Sequence, residues 1–301
     1  MHDRGASRNV LLGLLLVYFV ARVLQDFPTQ VPTLLIVVLH VLPPAAFALL
    51  HGRRLDGTRG VLVFTAFCLG SGVSFEYLGL RTGFPFGHYY FTGVMGPKIL
   101  GLPILLALAY LGIGYLSWVL GSLILGAAPG SRSGAFVLPV LAACLMTAWD
   151  LAMDPVWCNI DRAWVWQGGG AYFGVPVSNF AGWFLTTWVG YQLFALWLRG
   201  RGAHSVAVAS NRLAVLMYGV AALGNLLLAI PSARPPVVPA AITDAAGRHW
   251  PASDAVAASV VISLLVMTPL ALLAWVRAAD AAAPRTPDRD SAHERTGRVA
   301  V

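Results

Sequence analysis

The sequence predicts an all-α protein, a polytopic transmembrane helix bundle of about eight spans with both termini cytoplasmic. Three observations predict it. Of the 301 residues, 58 % are hydrophobic and only 11 % charged, against about 25 % charged in an ordinary soluble domain. Mean hydropathy is +0.72. No Asp, Glu, Lys or Arg interrupts the chain between Lys98 and Arg132, or between Arg162 and Arg199. A helical span needs about 20 mostly apolar residues. These runs are too long and too evenly apolar for the alternating strands of a membrane β-barrel. A soluble fold of this size needs far more charge to cover its surface.

Taken in order, the expected spans are about 9–25, 31–50, 60–80, 99–125, 135–153, 177–198, 213–230 and 255–276. The first is read as a span and not a signal peptide, because Gln25-Asp26-Phe27-Pro28 offers no small-residue cleavage site. Orientation follows from the cations. With the N-terminus inside, Arg4, Arg8, Arg53, Arg54, Arg59, Arg132, Arg199, Arg201, Arg212, Arg277, Arg285, Arg289, Arg295 and Arg298 fall on the cytoplasmic side. Arg22, Arg81, Lys98, Arg162, Arg234 and Arg248 fall on the other. Fourteen against six favours cytoplasmic termini, and without the tail nine against six points the same way.

Residues 1–277 read as one transmembrane domain, with its motif-bearing core at about 60–200 and no internal repeat. Residues 278–301, rich in Ala, Pro, Arg and Asp, read as a disordered cytoplasmic tail. The loop 231–254 holds five prolines and is expected to be extended and exposed. A net charge of +7 raises nucleic acid as a partner. The cations are scattered, however, with no basic stripe among aromatics, so that class is excluded. Cys68, Cys144 and Cys158 have neither metal nor redox spacing.

With so few charges, the acids inside apolar runs stand out. Glu76, Asp150 and Asp154 each lie near the end of such a run. An ionised Asp at a bilayer centre costs roughly 2.5–3.5 kcal/mol on insertion scales, so such residues are functional candidates by default. The bland alternative is that they sit at the interface and orient loops. Asp150 and Asp154 are four apart and share a helix face. Like charges there repel, which leaves a neutral carboxylic acid beside a carboxylate and suits acid–base chemistry. Pro155 is expected to close that helix. Under this topology the outward ends of the third and fifth spans hold all three acids, which are therefore expected to meet at one depth, in the outer half of the bilayer.

The segments beside them are aromatic and rich in turn residues. Gly83-Phe84-Pro85-Phe86-Gly87-His88-Tyr89-Tyr90 is one. Trp157, Trp164 and Trp166, followed by three glycines, form another. Irregular aromatic backbone at membrane depth lines cavities, although an interfacial aromatic belt has the same look. Tyr77, His88, Tyr89, Tyr90, Trp149, Trp157, Trp164, Trp166 and Trp183 are therefore candidate substrate contacts. Asn179 either hydrogen-bonds a carboxyl or water, or caps its helix.

Several chemistries lack their residues. The seven histidines are dispersed, against a metal oxygenase. No dinucleotide fingerprint and no nucleophile elbow is present. Asp150-x3-Asp154 resembles half of a prenyltransferase diphosphate site, but a second Asp cluster is missing. Carboxylic acids in an aromatic-walled cavity remain, and these suit protonation of an isoprenoid alkene, with aromatic faces stabilising the cation.

Phe75-Glu76-Tyr77-Leu78-Gly79, the Gly83–Tyr90 run, Asp150-x3-Asp154-Pro155, Trp164-x-Trp166 and Tyr172-Phe173-Gly174-Val175-Pro176-x2-Asn179-Phe180-x-Gly182-Trp183 together resemble the carotenoid 1,2-hydratase family. That family includes the bisanhydrobacterioruberin and γ-carotene 1',2'-hydratases. The resemblance implies a multi-pass protein of the cell membrane that hydrates the terminal 1,2 double bond of an acyclic ψ end group to a tertiary alcohol. It implies a substrate of the lycopene, γ-carotene or bacterioruberin-precursor type, water as co-substrate, the lipid bilayer as surroundings, and no cofactor or metal. On this reading Asp150 or Glu76 protonates the alkene. The other carboxylate, with Asp154 and Asn179, orients and deprotonates water. A carotenoid end-group cyclase begins with the same protonation, and a non-catalytic carotenoid- or lipid-binding protein or transporter is the alternative of another class.

Overall fold

The computed structural model describes residues 2–27, 29–126, 131–201, 211–230 and 241–280. The expected tail beyond 280, and residues 231–240 of the proline-rich loop, lie outside the described residues. In chain order the helices are α1 (His2–Leu24), α2 (Thr33–Thr82), α3 (Ile104–Leu125), α4 (Arg132–Asn159), α5 (Val177–Arg199), α6 (Arg212–Leu227) and α7 (Ala252–Ile262). A π-helical turn, Ser263–Met267, joins α7 to α8 (Thr268–Asp280).

Helix α2 has 50 residues and turns back on itself. Gly57 adopts φ 73°, ψ 174°, outside the helical region. A Cβ built on Gly52 would lie 2.9 Å from Val61 Cγ2. In a straight helix those nine residues would span roughly 13 Å. Thus α2 is a hairpin of two arms, and these arms correspond to the second and third expected spans. Glycine suits the reversal because it reaches positive φ without steric cost.

Helix α3 runs through the centre of the bundle, with Tyr110, Tyr115, Leu116 and Leu120 buried. Outward faces carry bare leucines, including Leu16, Leu62, Leu265 and Leu272. Among the described residues, four helices are long and apolar enough to cross a membrane: Thr33–Thr82, Ile104–Leu125, Arg132–Asn159 and Ala252–Ala279. Apolar helices with leucines turned outward are what a lipid solvent requires.

The connections around residues 83–103, 160–176 and 241–251 gather at one end of the bundle. Gln25 Nε2 donates to the Gly224 carbonyl (2.8 Å). Thr92 Oγ1 donates to the Arg162 carbonyl (2.6 Å). The Gly170 N–H donates to Asp244 (3.3 Å). Short strands stiffen this end, a feature the all-α expectation lacks. β1 (Tyr89–Phe91) pairs antiparallel with β4 (Trp164–Trp166). β2 (Lys98–Ile99) pairs with β3 (Leu102–Pro103), so α3 begins at Ile104 and not near 99. β5 (Ala241–Thr243) and β6 (His249–Pro251) form a hairpin within the proline-rich loop, with Ile242 buried beneath it.

Pro155 does not close α4, which continues to Asn159. Proline removes one N–H and orphans the carbonyl four residues back. That carbonyl, of Leu151, accepts instead from the Tyr172 hydroxyl (3.2 Å). Pro139 is accommodated in the same way, with Gln192 Nε2 donating to the Ala135 carbonyl (2.8 Å). Removing one such donor costs about 1–3 kcal/mol when the acceptor is buried. Tyr172→Phe is therefore expected to lower the melting temperature of detergent-solubilised protein. A melting curve identical to wild type would show that Leu151 needs no substitute donor.

Candidate functional site

Three buried carboxyl groups meet at the capped end of the bundle. Glu76 lies near the end of the second arm of α2, at 3 % exposure, and Asp150 and Asp154 on α4 are at 0 % and 1 %. One helical turn separates the two aspartates, and Asn179, in the first turn of α5, reaches both. Its Nδ2 donates to Asp150 Oδ2 at 2.9 Å and to Asp154 Oδ2 at 2.7 Å. The helix cap is left to Pro176, without a side-chain hydrogen bond.

The remaining carboxyl oxygens divide unequally. Glu76 accepts from two tyrosines: the Tyr89 hydroxyl on one oxygen, and the Tyr110 hydroxyl on the other at 2.7 Å. Asp154 Oδ1 accepts from the Trp164 indole N–H at 2.9 Å. Asp150 Oδ1 is buried and has no hydrogen-bond partner among the described residues. No described Lys or Arg forms an ion pair with any of the three. Among the described residues no group of three or more His, Cys, Asp or Glu is arranged to hold a metal ion.

Strand alternation builds the cover. Tyr89 pairs with Trp166, and Phe91 with Trp164. Successive strand residues point to opposite faces. Tyr89, Phe91, Trp164 and Trp166 therefore turn inward, while Tyr90 turns out and is 49 % exposed. Phe86 completes the wall. Its ring lies between α2 and α5 at Gly79 and Gly182, where an added Cβ would come within 2.7 and 2.6 Å of it. On the far side Trp183 stacks on Tyr110, ring centroids 4.4 Å apart and planes 9° from parallel. These side chains enclose a pocket of about 280 Å³, counting its open mouth.

A second, more apolar cavity of about 580 Å³, counting open space, shares Leu106 and Trp164 with this pocket. Trp149, Met153 and Trp157 line it from α4, while Asp154 lines the acid pocket. The same helix thus shows an apolar stripe to the larger cavity and an acidic stripe to Asn179.

Of the candidates read from sequence, the structure brings Glu76, Asp150, Asp154, Tyr89, Trp164, Trp166, Asn179 and Trp183 into one cluster. Trp149 and Trp157 lie in the adjoining cavity. Tyr77, His88 and Tyr90 do not join either. Tyr77 is 38 % exposed and stacks under Arg81, and His88 is exposed. The physical cause for Tyr77 is helical: it stands about 100° around α2 from Glu76. Sequence reasoning missed Tyr110, which holds Glu76 from the centre of the bundle.

A family model of carotenoid biosynthesis proteins matches residues 33–246, which include every member of this cluster. The chain belongs to the carotenoid biosynthesis protein family. It is also 32 % identical over 120 residues to a bisanhydrobacterioruberin hydratase of Haloarcula japonica. That match covers 40 % of this chain and 39 % of the relative, so the chain spans well under half the length of the curated relative it matches. No solved structure matches. The resemblance drawn from the motifs is thus met by the family assignment, and the chain is a membrane protein of carotenoid biosynthesis.

Proposed function

We propose that this protein is a multi-pass hydratase of the cell membrane. It adds water across the terminal 1,2 double bond of an acyclic ψ carotenoid end group and forms a tertiary alcohol. Its eight spans are α1, the two arms of α2, α3, α4, α5, α6 and the joined α7–α8, and the excess of Arg on one side supports cytoplasmic termini, with the acid cluster in the outer half of the bilayer. The observation that carries the reading is the unequal hydrogen bonding of the three carboxyls.

Both oxygens of Glu76 and both of Asp154 accept hydrogen bonds, which suits carboxylates. Asp150 Oδ1 has no donor, which suits the oxygen that carries a proton. Asp150 then acts as the acid. Its proton goes to the alkene carbon that becomes CH2, and the alkene electron pair forms the new C–H bond. The charge left on the tertiary carbon faces the aromatic walls, with Glu76 as a nearby anion. Cation–π contacts are worth about 2 kcal/mol or more when desolvated. Water forms the C–O bond and gives a proton to Asp154, which Asn179 holds beside Asp150. Transfer of that proton between the two aspartates restores the starting state. No electrons are exchanged with a cofactor in this scheme.

Expression of the full chain in cells that make an acyclic ψ-end carotenoid tests the reading. The expected pigment is heavier by one water and carries a tertiary alcohol. A ring-containing pigment of unchanged mass would replace hydration by cyclisation. Unaltered pigment would remove the enzymatic reading altogether.

A further inference from the structure

A third cavity lies on the other side of the aromatic cover, at the capped end of the bundle. It has about 600 Å³ of empty space, counting its mouth. Its wall is more polar than that of the large apolar cavity beside α1: Asn159, Arg162, Thr243 and Asp244 contribute beside Trp164, Val165 and Trp166. The β5–β6 hairpin forms one side. Asp244 pins that hairpin to the glycine-rich loop by accepting from the Gly170 N–H, and Arg248 holds Asp244 at 2.8 Å. Trp164 and Trp166 belong to the walls of both this vestibule and the acid pocket. Each is less than a tenth exposed.

We propose that this vestibule is the water inlet of the acid cluster, and that water passes the Trp164–Trp166 wall to reach Asp154. The inference rests on the hydratase reading, because it concerns the second substrate of that reaction. Four observations support it. The carotenoid is apolar and matches the cavity lined by Trp149, Met153 and Trp157, whereas water requires polar surroundings. The vestibule opens at the capped end, where the loops gather, and not on the leucine-covered sides. The Trp164 N–H already points through the wall to Asp154. The Trp166 indole nitrogen is buried close to the Asp154 carboxylate, yet outside ordinary hydrogen-bond geometry. A water oxygen arriving there would find the Trp166 donor, and Asp154 would accept its proton. In this arrangement alkene and water approach from opposite sides of the acid cluster, and Trp166 is a positioning residue for water.

Thr243 and Ala245 line the vestibule, are exposed, and stand on the hairpin away from the acids. Thr243→Trp and Ala245→Trp fill the inlet without touching the catalytic carboxyls. Ala246, exposed at the hairpin turn and outside the vestibule wall, supplies the control Ala246→Trp. The full chain in detergent, equilibrated in D2O, is given an acyclic ψ-end carotenoid. The expected result is an alcohol yield at least tenfold lower in both inlet variants and unchanged in the control. The cation that lacks water returns a proton to a carboxylate, so deuterium in the recovered alkene should rise relative to alcohol formed. Wild-type rates in both inlet variants overturn the inlet while leaving the hydratase reading intact. A slower rate with an unchanged deuterium-to-alcohol ratio also overturns it, since a merely structural defect would do that. Failure of the wild type to form alcohol overturns both.

Discussion

Asp150→Asn is expected to cut alcohol formation by at least about a hundredfold, since a positioned general acid contributes roughly 10²–10⁴ in rate. The substitution keeps size and shape. It also keeps an oxygen able to accept from Asn179, so insertion into the membrane and thermal stability should change little. What it removes is the ionisable proton on the one oxygen of the three clustered carboxyls that has no donor among the described residues. Glu76→Gln should act differently. It disturbs an acceptor held by the Tyr89 and Tyr110 hydroxyls, so it weakens stabilisation of the cation and leaves the proton source in place. The measurement is the hydroxylated fraction of pigment extracted from cells expressing each variant at equal membrane levels. Full hydroxylated pigment from Asp150→Asn would remove Asp150 as the acid. A complete loss in Glu76→Gln alone would transfer the role to Glu76.

Much of this site is legible in the sequence, for definite reasons. An acid in an otherwise charge-free run has few innocent explanations, so Glu76, Asp150 and Asp154 stand out by cost alone. The four-residue spacing of the two aspartates is a property of any α-helix and survives into the structure. The aromatic cover is harder. Tyr89 and Tyr90 are adjacent and chemically equal, and only the three-residue pairing of β1 with β4 decides which faces inward. A strand that short leaves no period to detect. Tyr110 has no sequence mark either. Tyr191 and Tyr218 occupy similar apolar helices, and their hydroxyls donate to the Gly114 and Leu145 carbonyls. Nothing local distinguishes a tyrosine that tethers two helices from one that holds a carboxylate. Pro155 misleads because the rule that proline ends a helix assumes that no other donor reaches the orphaned carbonyl. Tyr172, seventeen residues later, supplies that donor from a different segment. The two halves of α2 were separable by composition, since Arg53, Arg54, Asp56 and Arg59 crowd the turn that Gly57 makes.

Asn179→Leu should be the most damaging single change in the cluster to stability as well as to rate. Leucine keeps the branching of asparagine in a bulkier side chain but has no donor, so Asp150 Oδ2 and Asp154 Oδ2 both lose their partner. The hydrogen bond to the Asp154 carboxylate contributes about 1.5–3 kcal/mol and the one to the protonated Asp150 about 0.5–1.5 kcal/mol, and both act at one buried point. A loss of about 3–4 kcal/mol is expected, because each buried carboxyl is left short of a donor at about 1–3 kcal/mol apiece. In a chain of this size that corresponds to a melting temperature lower by roughly 10 °C. Hydration should fall as well, because Asp154 no longer holds the position from which it deprotonates water. Coupling separates this account from a simple packing defect. Asp154→Asn removes the charge that Asn179 compensates, so Asn179→Leu should cost less in that background than in the wild type, by more than the 0.3–0.5 kcal/mol or so within which independent sites add. Strict additivity of the two substitutions in melting experiments would mean that the amide is not what reconciles the paired aspartates. The three acids would then need another source of compensation inside the membrane.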